Sequence, residues 1–109
     1  MTSVDLQARV MALLEQLAPE EVFLFGSWSR GDAGEESDID LVVVLPIDEL
    51  PETFAEKMDN VRKVRRALAD MNKDYALDLL VFTRPEWKLF QEKRPLFAAE
   101  ILDKGRKIA

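Results

Sequence analysis

The spacing of apolar residues in the first part of the chain predicts one helix and two strands. Between Ser3 and Ala18 apolar residues recur every three or four positions, and Pro19 follows, which indicates an amphipathic helix that ends there. The runs EVFLFG and DIDLVVVL are short, apolar and rich in β-branched or aromatic residues, which is typical of buried strands. The polar segment SWSRGDAGEES joins them, and a short helix could begin in it at Ser27.

The remaining pattern predicts a long helix, a third strand and two short helices. The long helix has one apolar stripe, and Thr53 with Glu56 matches a capping box near its start. The run YALDLLVFT has the composition of a strand. Prolines stand at the start of each of the last two helices, where their missing N–H is tolerated. We expect these four elements at about residues 51–72, 76–83, 83–93 and 95–104.

The order of these elements, α-β-β-α-β-α-α, indicates the fold class. Strands mixed with helices, and only three clear strands, predict an α+β (mixed α/β) fold with a small mixed β-sheet and helices packed on one face. A chain of 109 residues predicts one domain over residues 1–109. A chain of this length buries about 65% of its unfolded surface, which is enough for one core.

The sequence contains no cysteine and no histidine. Disulfides, zinc–thiolate sites and thiol nucleophiles are therefore excluded within this sequence. The usual general base and the usual transition-metal ligand are excluded with histidine. Any metal must be held by oxygen ligands, which favours magnesium, manganese or calcium.

The formal net charge of −6 bears on the partners of the chain. It argues against non-specific binding to nucleic acid or to an anionic membrane, because such binding needs clustered Lys and Arg. The N-terminus has no signal pattern, and no apolar run has the length of a membrane span, so we expect a cytoplasmic protein. The basic run RKVRR from Arg62 to Arg66 is a solvated helix face paired with acids, a contact for an acidic partner, or a contact for nucleic acid, and the net charge disfavours the last.

Three aspartates interrupt the apolar strand patterns. Asp38 and Asp40 are two residues apart and so point to one side of the sheet, and Asp78 is the one polar residue in ALDLLVF. If the second and third strands are neighbours, the three carboxylates converge at one edge of the sheet. At about 5 Å and an effective dielectric constant of 20, each pair would repel by roughly 3 kcal/mol.

Bound divalent cations would turn this repulsion into a binding site, since magnesium takes one or two carboxylates together with substrate phosphates. Asp38, Asp40 and Asp78 are therefore candidate metal ligands. A turn or cap role is the alternative interpretation. It accounts for Asp38, which follows Ser37, but not for Asp40 and Asp78.

A second candidate site follows the first strand. Gly26 permits close backbone approach, and a helix that begins at Ser27 would offer free N–H groups to an anion. Arg30 would lie one turn along that helix, within reach of a phosphate. The alternatives are an ordinary turn for Gly26 and Ser27 and a solvated surface charge for Arg30.

These motifs together resemble the nucleotidyltransferase superfamily that is built on the palm of DNA polymerase β. The resemblance is carried by Gly26-Ser27, ten further residues and then Asp38-Ile39-Asp40, with Asp78 in a later strand. Length and layout are similar to its smallest branch, the minimal nucleotidyltransferase (MNT) proteins. The tail FAAEILDKGRKIA is also similar to that branch, although the usual terminal aromatic residue is absent.

The resemblance implies a role for each matching residue. Gly26 and Ser27 would bind the phosphates of a nucleoside triphosphate, with ATP as the expected substrate. Asp38 and Asp40 would ligate two Mg²⁺ ions. Asp78 would join them on the metal that faces the nucleophile and would help to deprotonate the incoming hydroxyl, so the three aspartates would be catalytic.

The resemblance also implies a partner. MNT proteins are often antitoxins of HEPN-domain toxins, and some transfer AMP from ATP to a tyrosine hydroxyl of the toxin. We therefore expect a protein adenylyltransferase of the EC 2.7.7 class that AMPylates a HEPN toxin, in a homo- or hetero-oligomer. The alternative is a non-catalytic antitoxin that neutralises its partner by contact. A small-molecule nucleotidyltransferase ranks last, because the chain lacks a second domain to shape such a pocket.

Aromatic residues are the candidates for contact with the partner. Trp28, Trp87, Phe90 and Phe97 could supply an apolar surface, or they could lie in the core. For Phe90 and Phe97 we favour the core.

Overall fold

A computed structural model of the protein describes residues 2–26, 28 and 38–109. Ser27, Arg30 and most of the polar segment between the first two strands lie outside the described residues. The described elements follow one another in this order: α1 Ser3–Leu14, a 3₁₀ turn Glu15–Leu17, β1 Glu21–Phe25, β2 Ile39–Val44, α2 Phe54–Ala67, α3 Ala69–Asn72, β3 Leu77–Phe82, α4 Arg84–Lys93, α5 Pro95–Lys104 and β4 Arg106–Lys107.

Side-chain caps fix where the helices begin. Thr2 and Asp5 form a capping box at the start of α1, and Thr83 and Glu86 form one at the start of α4. At α2 the side chain of Thr53 accepts a hydrogen bond from the backbone N–H of Glu56. α1 and α4 begin where the sequence predicts, whereas α2 begins at Phe54, three residues after the predicted start, and only half of its predicted capping box forms.

Two elements differ from the prediction. The predicted long helix divides after Ala67, because Leu68 has φ −95° and ψ 10° and so leaves the helical region between α2 and α3. The two-residue strand β4 was not predicted, because two exposed residues are too few to show an alternating pattern.

The four strands form one mixed sheet in the order β3-β2-β1-β4. β1 is antiparallel to both β2 and β4, whereas β2 and β3 are parallel. The crossover between the parallel strands contains α2 and α3. The predicted small mixed sheet is therefore confirmed.

Helices cover both faces of the sheet. The first face packs against α1, α2 and α3 in a large cluster that includes Leu6, Val10, Leu14, Ile39, Leu41, Val43, Val64, Leu68 and Met71. The second face packs against α4 and α5 in a smaller cluster of Phe23, Val42, Val44, Phe82, Trp87 and Ile101. The expectation of helices on one face was wrong. The unbroken apolar run LVVVL is the signal for the second layer, since a strand buried on both faces shows no alternation.

The aromatic residues are placed differently from the expectation for a contact surface. Trp28 and Trp87 are only 6% and 7% exposed, and Trp28 packs edge-on against Tyr75. Phe90 is half-buried against the second cluster. Phe97, which we expected in the core, is 41% exposed. The two tryptophans are therefore core residues, and Phe97 is the aromatic residue of the four that reaches the surface.

Two further features bear on the predicted partners. The basic run lies along the exposed side of α2, where Arg62 pairs with Asp59 at 2.5 Å, as a solvated helix face would. In residues 2–26, 28 and 38–109, no helix has both the length and the apolar character needed to cross a membrane.

Candidate functional site

Asp40 and Asp78 lie directly opposite each other on neighbouring parallel strands. The backbone N–H of Ile39 donates to the carbonyl of Ala76 at 2.9 Å and that of Leu45 to the carbonyl of Phe82 at 2.8 Å, so the register is held at both ends. Adjacent strands lie about 4.8 Å apart, which places the two carboxylates side by side. The sequence left open whether β2 and β3 are neighbours, and the structure shows that they are.

The pattern of β2 explains why an aspartate is tolerated in this apolar strand. Ile39, Leu41 and Val43 are completely buried against the α1–α3 layer. Side chains alternate across a strand, so Asp40 points to the other face, which α4 and α5 cover. Asp40 is half-buried at the start of β2, and Asp78 is exposed at the start of β3.

The two carboxylates open into a small pocket of about 220 Å³, which we call the acid pocket. Phe25 of β1 lies opposite Asp40 in the sheet and forms one wall, and Phe97 of α5 forms another. The pocket is lined by Phe25, Asp40, Asp78, Leu79, Leu80 and Phe97.

Asp38 is exposed and lies immediately before β2. Within the described ranges, no three acidic side chains come close enough together to hold a metal ion. The structure thus brings Asp40 and Asp78 together without gathering Asp38 into a group of three. The role of the three aspartates as metal ligands stays a prediction.

Gly26 presses against Asp40 from the end of β1. It has φ +73°, and a Cβ atom added to it would overlap Oδ2 of Asp40 and lie 3.2 Å from its Cγ. Glycine adopts this φ without strain, and here it also leaves space for the carboxylate. From the sequence we expected Gly26 only to admit a phosphate; its contact with Asp40 was missed, because no local pattern indicates that contact.

Asp40 and Asp78 suit a hard cation. Magnesium takes oxygen ligands and commonly binds one or two carboxylates, with phosphates and water filling its other positions. Two unit negative charges about 5 Å apart repel by roughly 1–3 kcal/mol, depending on how much water screens them. A cation between them would offset that repulsion.

A second pocket of about 410 Å³ adjoins the acid pocket, and we call it the α5 pocket. Phe25 and Phe97 belong to both pockets, and Gly26 belongs to the α5 pocket. One side of α5 forms its wall through Leu96, Phe97, Glu100 and Lys104. The sequence analysis missed this pocket. A sequence signal for it lay in the large apolar residues of α5, of which Ile101 is buried and Leu96, Phe97 and Leu102 are exposed.

Ser27 and Arg30 lie outside the described residues, so their predicted contacts with phosphate stay predictions. Gly26 is the described member of that motif.

Solved structures share the fold of this chain. A toxin–antitoxin structure with AMP-PNP has a TM-score of 0.58 and 22% identity, over 94% of this chain and 72% of that one. A mutant of the toxin–antitoxin pair MntA-HpeT has a TM-score of 0.55 and 18% identity, over 94% and 71% of the two chains. A structure named as a minimal nucleotidyltransferase has a TM-score of 0.58 and 24% identity, over 97% and 95%.

The sequence itself gives the family. No curated protein matches the sequence of this chain. The sequence profile of the nucleotidyltransferase domain, however, matches residues 9–108, a range that includes Gly26, Asp40 and Asp78. The profile covers nearly the whole chain, and the fold agrees with it. The chain belongs to the nucleotidyltransferase domain family.

Proposed function

We propose that this chain is a Mg²⁺-dependent nucleotidyltransferase that transfers AMP from ATP to a hydroxyl of a partner protein. The observation that carries the proposal is the parallel register that sets Asp40 beside Asp78, with Gly26 packed against Asp40. Membership of the nucleotidyltransferase domain family supports the reaction class. A similar structure with AMP-PNP supports an adenine nucleotide as donor.

We further propose that the chain is the antitoxin of a HEPN/MNT toxin–antitoxin pair, in which the HEPN toxin is the acceptor. Two solved structures that share its fold are toxin–antitoxin structures. β3 is an edge strand of the sheet, and a partner can reach it at the end where Asp78 lies, because α2 contacts the other end. Near the far end of β3, Lys57 of α2 donates to the carbonyl of Val81 and pairs with Glu86 at 2.9 Å. Asp78, at the other end of this edge strand, is exposed.

In the proposed reaction, the three aspartates and Gly26 have different roles. The acceptor hydroxyl oxygen forms a bond to the α-phosphorus of ATP, the bond from that phosphorus to the oxygen shared with the β-phosphorus breaks, and pyrophosphate leaves. Asp78 takes the hydroxyl proton. Asp40 and Asp78, together with Asp38, would hold Mg²⁺ through their carboxylate oxygens, and Gly26 keeps the Asp40 carboxylate in place. Bound Mg²⁺ supplies positive charge that orients the triphosphate and stabilises its developing negative charge.

Calorimetric titration with ATP, with and without Mg²⁺, tests the nucleotide site. We expect binding that requires Mg²⁺ and that the Asp40→Asn variant loses. The Asp103→Asn variant is the matched control, because Asp103 is exposed on α5 and does not line either pocket. Unchanged ATP binding by Asp40→Asn, or equal loss in both variants, would contradict the proposed site.

Mass spectrometry of a co-purified partner tests the transfer. The partner incubated with the chain, ATP and Mg²⁺ should gain the mass of one AMP on a hydroxyl residue, and the Asp38→Asn/Asp40→Asn variant should not modify it. The contact antitoxin is the second candidate, and the exposed apolar side chains of α5 favour it, since Leu96 is 85% exposed. If the double variant still neutralises the toxin, contact alone is sufficient.

A further inference from the structure

We infer that the α5 pocket holds the purine nucleoside of the nucleotide donor, with its base against Phe97. The inference rests on the proposed function, which places the triphosphate at Asp40 and Gly26. It goes further by assigning the recognition of the nucleoside to α5, a helix that carries none of the predicted site residues.

The order of the strands separates a donor side from an acceptor side. In the sheet β3-β2-β1-β4, Asp78 lies on one side of Asp40, and Gly26 follows the strand on the other side. An acceptor hydroxyl next to Asp78 occupies the β3 side. A triphosphate that passes Gly26 then extends toward β1 and β4, where the α5 pocket begins.

The α5 pocket has the size and the lining of a nucleoside site. Its volume of about 410 Å³ lies within the range of about 300–1,000 Å³ that is typical of small-molecule sites. Phe25, Leu96 and Phe97 make its walls largely apolar. It adjoins the acid pocket at Phe25 and Phe97, so one molecule can fill the α5 pocket and still reach Asp40.

The ring of Phe97 is held in position although 41% of the residue is exposed. It packs edge-on against Phe90, with ring centroids 5.5 Å apart, and Phe90 stacks on the buried Trp87 at 5.7 Å. A fixed, partly exposed aromatic ring is a platform for base stacking, which any base can use. A purine covers more of the ring than a pyrimidine, so a purine nucleotide is the expected ligand.

Polar groups stand along the same wall. Glu100 and Lys104 are one helical turn apart, with Lys104 Nζ 2.8 Å from Glu100 Oε1, and both line the α5 pocket. The carboxylate can accept a hydrogen bond from an exocyclic amino group, and the ammonium can donate one to a ring nitrogen. A nucleobase has both an amino donor and a ring-nitrogen acceptor on its edge, whereas an aliphatic side chain of a partner protein in the pocket would have neither.

Calorimetric titrations with ATP, CTP and inorganic tripolyphosphate, all with Mg²⁺, test the inference. We expect Phe97→Ala to weaken ATP binding by at least about tenfold and to leave tripolyphosphate binding unchanged, because stacking acts on the base alone. ATP should bind more tightly than CTP. Leu102→Ala is the matched control, since Leu102 lies on the same helix, is 44% exposed and does not line the α5 pocket.

Phe97→Leu keeps an apolar side chain and removes the ring, so it should also weaken ATP binding without a change in the melting temperature. If Phe97→Ala binds ATP as tightly as the unmodified chain, or if ATP binds no more tightly than tripolyphosphate, the inference is overturned while the proposed function stands. If neither ATP nor tripolyphosphate binds to the unmodified chain, the proposed function fails and the inference fails with it.

Discussion

The two faces of the sheet differ in how completely the side chains of β2 are buried. On the face toward α1, α2 and α3, the side chains of Ile39, Leu41 and Val43 are completely buried along the whole of β2. On the face toward α4 and α5, Val42 and Val44 are buried, but the strand begins with Asp40 beside a pocket. The first face is closed along β2, and the second is open at one end.

The difference shows how a small domain can hold acidic residues in a fixed place. Register follows from burial, because a shift of one residue would turn Ile39, Leu41 and Val43 away from their core. The closed face therefore determines where Asp40 and Asp78 stand. At the start of β2, the open face is not fully covered by apolar side chains, and two pockets lie there.

The largest effect that tests this comparison is loss of stability on the closed face. Leu41→Ala should lower the free energy of unfolding by about 2–5 kcal/mol, because it leaves a cavity in a fully buried cluster. Leu80→Ala on the open face is the control, and it should cost less than half as much, since Leu80 is only half-buried at the acid pocket. Urea denaturation measures both values. A loss from Leu80→Ala that equals or exceeds the loss from Leu41→Ala would break the comparison.

A change next to Asp40 should affect the site more than the fold. Gly26→Ala places a side chain at φ +73°, which costs about 1–2 kcal/mol, and displaces the Asp40 carboxylate. We expect Mg²⁺-dependent ATP binding to be lost while the variant remains folded, as measured by calorimetry and circular dichroism.

Ala18 provides the matched control for Gly26. It also has a positive φ, of 47°, but it follows the 3₁₀ turn and lines neither pocket. Ala18→Gly relieves the left-handed strain, so stability should change by less than about 1 kcal/mol and ATP binding should be unchanged. The prediction for Gly26 is wrong if Gly26→Ala still binds ATP, because the Asp40 carboxylate could then move without loss of nucleotide binding.

The smallest expected effect concerns the start of α1, which covers the closed face. A hydrogen bond from the Thr2 side chain, followed by one from the Thr2 backbone, lowers the pKa of Asp5 below its ordinary value of 3.8. Because the pKa is lower in the folded state, Asp5 stabilises the fold above its unfolded pKa, and the contribution disappears as the pH falls through the folded pKa. Asp5→Asn should therefore lower the melting temperature slightly at neutral pH, and this difference should shrink as the pH falls below the ordinary carboxyl pKa.

A pH series of melting temperatures for the unmodified chain and for Asp5→Asn measures this difference. ATP binding by Asp5→Asn should be unchanged, since Asp5 lines neither pocket. A difference in melting temperature that stays constant across the series would contradict the role of the Asp5 carboxylate.

Local patterns in the sequence determined most of the elements and the candidate residues. The start of α4 was predicted from its proline, which the first turn of a helix tolerates, and the capping box of Thr83 and Glu86 found there is complete within four residues. Asp40 and Asp78 stood out because a carboxylate inside an apolar strand is unfavourable without a compensating partner. Each of these signals depends on neighbours within a few positions.

Only the tertiary structure decided which distant residues meet. The pairing of Asp40 with Asp78 follows from the adjacency of β2 and β3, and the contact of Gly26 with Asp40 follows from the pairing of β1 with β2. The burial of Trp28 and the exposure of Phe97 depend on which helix covers which face. Residues far apart in the chain can meet in many ways that satisfy the same local pattern, and the packing of the whole core selects one of them. The sequence by itself thus determined the elements and the chemistry available, and the packing of both faces decided where that chemistry is placed.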